Sequence, residues 1–445
     1  MKRLAILLLL VVGPEICRAG AYVQTEKMPV VSVLRAVGNM IDGGYVDGAA
    51  EILNNLPNFE EPALDIERMF LLGRLASARQ EYNKAILIFR HILDEYPDLA
   101  RVRFELALCY MQTKQWHRAD YQLRRAMAGK DLPNNVKTIM NNARYVIRQN
   151  KNWNLYFNMG LTPDSNINTA AGGEECIKTM FGTLCRKLPE PQRALGLNTI
   201  VGGDYEFILT DNWRWKTDAH VYADVYNKHD FDNLYLSVGT GPRYIWERGD
   251  VWLSVLGGRR WYGWNVYNWS GGGRLNVSYD FARNLSGRVE LRVLENIYDE
   301  FENIFNGYTY DVNTGFIYSF NASKYVTLNC GLARETTKNN IYSHWRPSAG
   351  VGFGTELLGG FTIFLSSSVY WQRYDEQRWV ISNNKFEHIA ESSFTNRYAV
   401  SVSNNKLSVF DFVPTLTVSY TRRHSNIWQR EYDKIGVELG VQQRF

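Results

Sequence analysis

The sequence predicts a protein of class α + transmembrane β, in which helical repeats precede an antiparallel outer-membrane-type β-barrel of about 14 strands. Three observations support this. The hydrophobic period is helical up to residue 150 and becomes two from Trp153 to the end of the chain. The last stretch alternates Ile435, Val437, Leu439 and Val441 with polar or glycine residues, so one face suits lipid. Aromatic residues make up 14 % of the chain, as expected for girdles at two membrane interfaces. A soluble sheet could use the same alternation, but a long series of such strands favours the barrel.

The N-terminus has the layout of a secretory signal peptide. Two basic residues precede an apolar run over residues 4–12, and small residues suited to cleavage follow at Ala19 and Ala21. The run is too short to span a bilayer as a helix. Glu15 stands before Cys17 where a lipoprotein signal needs a small residue, so cleavage without lipidation is preferred. We therefore divide the chain into a signal peptide (1–21), a helical domain (22–150) and a barrel (151–445).

The composition and the motifs exclude several classes of function. A net charge of only +4 over 445 residues gives no general basis for binding nucleic acid. The sequence has no phosphate-binding loop, no HExxH pair and no G-x-S-x-G nucleophile motif. His220 lies near Asp218 and Asp224 and could serve acid–base chemistry, but a barrel lumen lined with mixed charge explains it more simply. We predict no catalytic residue, no cofactor and no metal.

Small and aromatic residues recur through the helical part. The aligned pairs, 34 residues apart as in the tetratricopeptide repeat, are Gly73 with Ala107, Tyr82 with Trp116, Ala85 with Ala119, and Phe89 with Leu123. With Pro97 closing the first unit, this pattern predicts repeats at residues 66–99 and 100–133. Residues 31–56 resemble a degenerate first unit, and residues 134–149 a capping helix. An ordinary helical bundle is the alternative.

The repeat pattern also predicts a binding groove. In tetratricopeptide repeats the first helix of each unit faces a concave surface that suits an extended peptide. The positions that face this groove are Glu67, Phe70, Arg74, Ser77, Arg101, Phe104, Leu108 and Met111. Some of these side chains could instead only pack against neighbouring repeats.

The strands of the second half alternate an apolar face with a charged one, as residues 213–226, 274–281 and 285–293 illustrate. This combination requires lipid outside and a wet lumen inside. Short polar segments at 210–212, 247–250, 282–284 and 321–323 are predicted turns. Longer segments at 227–233, 299–306 and 375–391 are predicted loops. Outer-membrane barrels have short periplasmic turns, so both ends of the chain are predicted to be periplasmic.

Four cysteines remain in the predicted mature chain, and two of them are predicted to pair. Cys176 and Cys185 lie nine residues apart in a glycine-rich segment that we predict to be free of strands. Because an exported protein meets an oxidising compartment, we expect a disulfide between them. Cys109 and Cys330 fall within regular elements and are predicted to be inert apolar side chains.

The final strand carries a predicted insertion signal. Val437, Leu439, Val441 and the terminal Phe445 lie on one face of this strand. A last strand that ends in an aromatic residue resembles the signal by which bacterial outer-membrane barrels are recognised. We therefore expect contact with the barrel-assembly machinery and with outer-membrane lipid.

The junction between the two halves has a distinctive sequence. A first strand at residues 153–162 runs into Pro163, Asp164, Ser165, Asn166, Ile167 and Asn168. This motif, directly after a few helical repeats, resembles the surface lipoprotein assembly modulator (Slam) family across almost the whole mature chain. The resemblance implies an outer-membrane barrel with a periplasmic helical domain. It also implies a non-enzymatic device that delivers specific lipoproteins, or soluble proteins, to the bacterial cell surface.

Other interpretations stay open at this point. The motif could be a structural cap on the first strand or could handle the client directly, since Asp and Asn side chains readily satisfy backbone groups in turns. The helical arm would recognise the client or a periplasmic chaperone that carries it. The alternatives are an exopolysaccharide-export porin, which usually has a far longer helical arm, and a diffusion porin, which needs no arm.

Overall fold

The computed structural model describes residues 29–57, 59–129, 134–382 and 385–443. The predicted signal peptide and Phe445 lie outside these residues. The described chain separates into two compact units. The first contains the residues up to Leu93 together with Arg101–Gln115, and the second contains Asp94–Ala100 and the chain from Trp116 onwards.

The first unit is helical. Its elements are α1 (Val30–Asp42), α2 (Val46–Asn55), α3 (Pro62–Ala78), most of α4 (Tyr82–Glu95) and nearly all of α5 (Ala100–Gln112). The amphipathic faces of α1, α2 and α3 bury a core around Leu34, Val37 and Leu71. Gly73 lets α4 approach α3 closely, because a β-carbon there would lie 2.5 Å from the ring of Phe89. None of the described helices is both long and apolar enough to cross a membrane.

The second unit contains a closed antiparallel barrel of 14 strands, which confirms the predicted fold class. Its strands are β1 (Trp153–Asp164), β4 (Ala194–Ile208), β5 (Trp213–Tyr226), β6 (Asn233–Trp246), β7 (Gly249–Tyr262), β8 (Asn265–Ala282), β9 (Leu285–Tyr298), β10 (Gly307–Ser319), β11 (Lys324–Thr337), β12 (His344–Glu356), β13 (Phe361–Ser382), β14 (Lys385–Asn404), β15 (Phe412–Ser425) and β16 (Tyr432–Gln443). Strands β2 (Glu174–Thr179) and β3 (Gly182–Lys187) form a separate hairpin, and α8 (Glu302–Phe305) lies between β9 and β10.

The two faces of the barrel wall differ as the sequence predicts. Leu439 and Ile435 on β16 are 57 % and 54 % exposed on the outer face, where lipid covers them. Glu206 and Asp218 are buried on the lumen side. Because a closed barrel leaves no sheet edge unpaired, its backbone can cross hydrocarbon without unsatisfied polar groups. With an apolar outer face and a charged lumen, the protein is an integral barrel of the outer membrane.

The connections differ between the two ends of the barrel. At the end where β1 begins and β16 finishes, six short connections cover residues 209–212, 247–248, 283–284, 320–323, 357–360 and 405–411. We call this the short-turn end. At the opposite end, here called the loop end, the connection from β1 to β4 alone carries the β2–β3 hairpin.

Two sequence expectations about the loop end are wrong. Most of the predicted loop at residues 375–391 belongs to β13 and β14, whose register shifts between Arg373 and Gln377. The segment around Cys176 and Cys185, predicted to be free of strands, forms the paired strands β2 and β3. Both segments form strands outside the membrane-spanning part of the barrel. No lipid covers them there, so they need no apolar face. They therefore lack the alternation by which the other strands are recognised.

Candidate functional site

Two helices of the second unit lie at the short-turn end of the barrel. They are α6 (Trp116–Met127) and α7 (Asn134–Asn150). Both are amphipathic, and Leu123 and Met127 of α6 are buried together with Met140 and Ile147 of α7. The polar faces of these helices are strongly basic, with six Lys or Arg side chains and one Asp.

The two helices make polar contacts with four of the six short turns and with the ends of the strands that lead into the other two. Gln149 and Arg148 donate to the carbonyl oxygens of Asp211 and Glu247, at 3.5 and 2.7 Å. The other contacts are Arg144 and Arg148 with Asp280, Arg125 with the carbonyl of Ser323 and with Glu356, and Arg118 with Asp411. The helices are therefore bound to the rim of the barrel mouth at several points around it, and we call this pair of helices the plug.

The contact between Arg125 and Glu356 is almost fully buried. Arg125 donates to the Glu356 carboxylate at 2.7 Å and to the Ser323 carbonyl at 3.1 Å, and its guanidinium carbon lies 4.5 Å from the centre of the Tyr325 ring. Tyr121 donates to the same carboxylate at 3.0 Å. Burial acts to lower the pKa of Arg125, but Tyr121 and Glu356 outweigh it and raise the pKa above its usual value. Arg125 is thus held in its charged form.

Asp280, at the end of β8, binds two arginines of α7. Arg144 donates to one carboxylate oxygen at 3.0 Å, and Arg148 donates to the other. The Arg144 and Asp280 side chains are only 8 % and 12 % exposed. Burial and the neighbouring Arg144 lower the pKa of Arg148 to about 10, so it stays charged at neutral pH. A buried carboxylate that holds two arginines ties α7 to the wall of the barrel.

A second charged cluster lies on the plug itself. Burial acts to raise the pKa of Asp120, but Arg124 and Arg144 hold it well below its usual range. Burial and the nearby Lys151 lower the pKa of His117 to about 4. His117 is therefore neutral in the folded protein at neutral pH, and its buried Nε2 has no hydrogen-bond partner in the structure.

A cavity of about 840 Å³ lies between the plug and the barrel wall. Its lining is mostly charged, and opposite charges are paired across it. Arg274 donates to Asp218 at 2.8 Å, and Arg243 donates to Glu206 at 2.5 Å. Lys216 is 3.5 Å from a carboxylate oxygen of Asp204. Such a wall suits water and polar polypeptide and excludes hydrocarbon chains.

His220 belongs to this lumen network. Its Nε2 is 2.7 Å from the Asp218 carboxylate, and its Nδ1 contacts the Tyr156 hydroxyl. Asp218 is also bound by Arg274, so its charge is already balanced. The arrangement fits the lumen-wall interpretation.

The junction motif shapes the loop end of β1. Asp164 accepts a bond from Lys434 of β16 at 2.8 Å, and Ser165 Oγ accepts one from the Ile435 amide at 2.9 Å. Asn166 is buried, donates to the Ala170 carbonyl at 2.9 Å and accepts from the Ala170 amide at 3.0 Å.

The rest of the motif holds the following segment. The Asn168 side chain donates to the Glu190 carbonyl and accepts from the Gln192 amide, each at 2.9 Å. The Ile167 amide donates to the Gln192 carbonyl at 2.8 Å. These bonds connect the two ends of the segment that carries the β2–β3 hairpin.

In that hairpin Cys176 and Cys185 are opposite residues and form a disulfide. Glu174 lies close to both sulfurs, but a disulfide offers no thiolate to a metal ion. Glu175 is buried at the base, where Gln429 donates to it at 2.8 Å. The hairpin is thereby attached to the connection between β15 and β16, while Met180 and Phe181 at its tip are 97 % exposed.

The predicted groove residues lie on α3 and α5 of the first unit. Phe70 is 2 % exposed and packs on Phe89, so it is a core residue and not an accessible anchor. Its ring is covered by Arg101, whose guanidinium carbon lies 4.3 Å from the ring centre. The other predicted groove residues, partly or fully accessible, are Glu67, Arg74, Ser77, Arg101, Phe104, Leu108 and Met111.

The remaining predicted residues lie on β16. Val437, Leu439 and Val441 pair with β15, opposite Val418, Leu416 and Pro414. Of the predicted insertion signal, only Phe445 is outside the described residues. Its role as a recognition signal stays a prediction.

Sequence reasoning missed the plug arginines. Arg125, Arg144 and Arg148 meet acidic partners that lie more than a hundred residues away along the chain, so no local pattern pairs them. The available signal was the charge of α7, which has three basic residues and no acidic one. An unbalanced basic helix next to a barrel with acidic turn ends indicates a docking face.

A model of the family described as surface lipoprotein assembly modifier matches residues 153–445. The surface lipoprotein assembly modifier of Pasteurella multocida is 21 % identical over 388 residues, which are 83 % of this chain and 75 % of that protein. That of Moraxella catarrhalis is 22 % identical over 387 residues, or 85 % and 74 % of the two chains. Among solved structures, the outer membrane channel DcaP of Acinetobacter baumannii has a TM-score of 0.37 and 9 % identity, over 66 % of this chain and 97 % of that one. The chain belongs to the surface lipoprotein assembly modifier family.

Proposed function

We propose that this protein is a gated translocation device, which delivers lipoproteins across the outer membrane to the bacterial cell surface. The observation that carries the proposal is the plug, whose arginines bind the short turns around a charged lumen. A passage closed by ion pairs can be opened by competing charges without unfolding the barrel. The lipoprotein nature of the client comes from the family. In this proposal the short-turn end and the helices are periplasmic.

The plug also separates this proposal from the two alternatives. A diffusion porin needs a lumen open at both ends, whereas here α6 and α7 cover one mouth. An exopolysaccharide-export porin would need a passage for a sugar chain that is open at the same mouth. Transport by a gated passage needs no covalent chemistry, so we propose a non-enzymatic role.

The first unit is the proposed site of client recognition. Arg101 is 3.7 Å from Glu67, and Arg74 is 3.7 Å from Glu105, so charged pairs line the predicted groove between α3 and α5. Phe104 and Met111 lie on the same helix and are only partly buried. Apolar anchors surrounded by charged pairs suit a polypeptide client, or a periplasmic chaperone that carries it.

The proposal is tested by labelling intact cells of the native host with a membrane-impermeant biotin reagent. Deletion of the gene should remove particular lipoproteins from the labelled set while their total amount stays the same. Re-expression of the wild-type chain should restore them. An unchanged set of labelled lipoproteins in the deletion strain would contradict the proposed function.

The groove is tested in the same strain with Phe104→Ala/Met111→Ala. These substitutions should reduce display of the same lipoproteins, since anchor side chains often contribute about 2 kcal/mol or more each. The control is Leu87→Ala, because Leu87 is an exposed residue of α4 outside the predicted groove. Normal display with the double substitution would place recognition elsewhere in the protein.

A further inference from the structure

The barrel closes where β1 meets β16, and this ladder is the shortest in the described wall. Four consecutive pairs run from Asn158–Gln442 to Leu161–Leu439, and pairing resumes only at Asp164–Gly436. On its other side β1 pairs with β4 without a break from Trp153–Tyr205 to Asp164–Ala194. Prolines also interrupt two other ladders, at Pro242 and Pro347. Eight and nine consecutive pairs remain beside those interruptions.

Proline and glycine explain why this seam is weak. The Ser165 amide donates to the Ile435 carbonyl, so by the two-residue period the backbone of Pro163 also faces β16. Proline has no N–H to donate, and in sheets it is confined mainly to edge strands. Gly160 is opposite Gly440, so no pair of side chains packs across the seam at that point.

Side chains replace the missing backbone bonds at the loop end of the seam. Lys434 donates to Asp164 at 2.8 Å, and the Ile435 amide donates to Ser165 Oγ at 2.9 Å. The Asp164 side chain is 13 % exposed, so this ion pair is largely shielded from water. We call these three residues, Asp164, Ser165 and Lys434, the clasp. Side-chain bonds of this kind can break while both strands keep their other partners, β4 and β15.

A seam that opens would suit a lipoprotein client, which has both acyl chains and a polar polypeptide. Its acyl chains must reach the outer leaflet, but the lumen wall presents charges such as Asp218, Arg274 and Glu206. Moving hydrocarbon through this wall would require desolvating those charges. An opening along one side of the barrel lets the acyl chains stay in lipid while the polar polypeptide occupies the lumen.

We propose that the β1–β16 seam receives the acylated end of the client, and that release of the clasp opens it toward the lipid. This inference rests on the proposed function. The junction motif then has both of the roles that its sequence left open. It caps the first strand, and the same contacts close the path of the client.

The first test locks the seam with Asn158→Cys/Gln442→Cys. These residues are opposite each other and lie between hydrogen-bonded pairs, where Cα atoms are about 4.5 Å apart and a disulfide can form. The matched control is Ser401→Cys/Thr417→Cys on β14 and β15, whose hydroxyls are 2.8 Å apart. All four side chains line one lumen cavity. Both variants carry Cys109→Ala and Cys330→Ser, so that only the native disulfide remains beside the engineered one.

Surface labelling of lipoproteins in the native host is the readout, and heat-modifiable migration verifies that each barrel is folded. The locked seam should lower labelling roughly tenfold, and a reductant should restore it, as expected for a reversible crosslink. The β14–β15 lock should have no effect. Equal labelling by the two locked proteins would contradict the proposed opening of the β1–β16 seam. Absence of labelling by the reduced protein and by the control would instead contradict the proposed function.

The second test needs neither a client nor a crosslink. In the purified full-length protein in lipid nanodiscs, Ser165→Ala/Lys434→Met should speed amide hydrogen exchange in β1 and β16 by about tenfold or more, because local opening controls exchange. Exchange in β14 should not change, and Lys434→Arg with Ser165 retained should behave like the wild type. Unchanged exchange in β1 and β16 would show that the clasp does not hold the seam, and would refute the proposal even if the locked variant failed to fold.

Discussion

Glu356 and Asp280 each occupy a position where a carboxylate is costly unless it is paired. The Glu356 side chain is 11 % exposed and Asp280 is 12 % exposed. Arginine suits both sites better than lysine would, because its planar group donates in several directions at once. Arg125 uses this geometry to reach a carboxylate and a backbone carbonyl together. At the residue scale, desolvated ion pairs bind the plug to the barrel wall.

Replacing Arg125 by Ala should therefore loosen the plug strongly. It removes the guanidinium that contacts the buried Glu356 carboxylate, and breaking a buried ion pair typically costs about 3–5 kcal/mol. Arg125→Met/Glu356→Met should cost less, because both charges are then removed. Chymotrypsin cleavage of α6 and α7 in nanodisc samples measures the effect. The control is Arg79→Ala, which removes a surface ion pair with exposed Asp47 and should leave this cleavage unchanged. Equal protection of Arg125→Ala and the wild type would show that the pair does not hold the plug.

The plug should also respond to pH through His117. Its pKa is about 4 in the docked state and near 6.5 when the helix is released, so the released state binds more protons in between. Docking is therefore fully favourable above about pH 6.5 and weakens as the pH falls toward 4. The facing groups include Lys151, Asp120 and Arg124, and Asp120 keeps its charge through this range because its pKa is depressed.

The measurement compares proteolysis of α7 at pH 7.5 and pH 5. Wild-type protein should be cleaved faster at pH 5, and His117→Gln should lose most of this difference. If His117→Gln keeps the full pH dependence, another group is responsible.

At the element scale, a strand can be recognised from the sequence where one of its faces contacts lipid. The outer face of β16 alternates because hydrocarbon covers it, and the strand was predicted from that pattern alone. The residues of β13 and β14 near Gln377 and Ala390 are paired strands as well, but nothing apolar covers them. Their composition therefore resembles a loop. Strands β2 and β3 were missed for the same reason, and they are recognised only from their pairing and their disulfide.

The outer face of β16 can be tested directly with Leu439→Arg. A charge on the lipid face near the middle of the membrane should cost about 2–4 kcal/mol. Gln442→Arg on the same strand is the matched control, because its side chain lines a lumen cavity and tolerates charge. Heat-modifiable migration in outer-membrane fractions should show less folded barrel for the first variant only. Normal folding of Leu439→Arg would mean that this residue does not face lipid.

For the whole molecule, the architecture was predictable and the closure of its mouth was not. Periodicity alone distinguishes helices from membrane strands, so the two halves and the strand number followed from the sequence. The site depends on contacts such as Arg144 with Asp280, which are 136 residues apart along the chain. Likewise Phe70 was assigned to a groove because repeats place that position there, but tertiary packing buries it against Phe89. Neither the partner of a plug arginine nor the burial of Phe70 can be identified from a local sequence pattern.

The plug predicts how the whole protein behaves in a planar lipid bilayer. The wild type should conduct little, because α6 and α7 cover the lumen at the short-turn end. Asp280→Asn/Glu356→Gln removes the acidic partners that three plug arginines have on the barrel wall, and should favour the undocked state by about a hundredfold or more. Frequent large openings are then expected. The matched control is Asp375→Asn/Glu391→Gln, which changes one Asp and one Glu that pair with arginines at the loop end, and it should stay closed. Currents from the first variant that equal those of the control would show that the plug is not what closes the lumen.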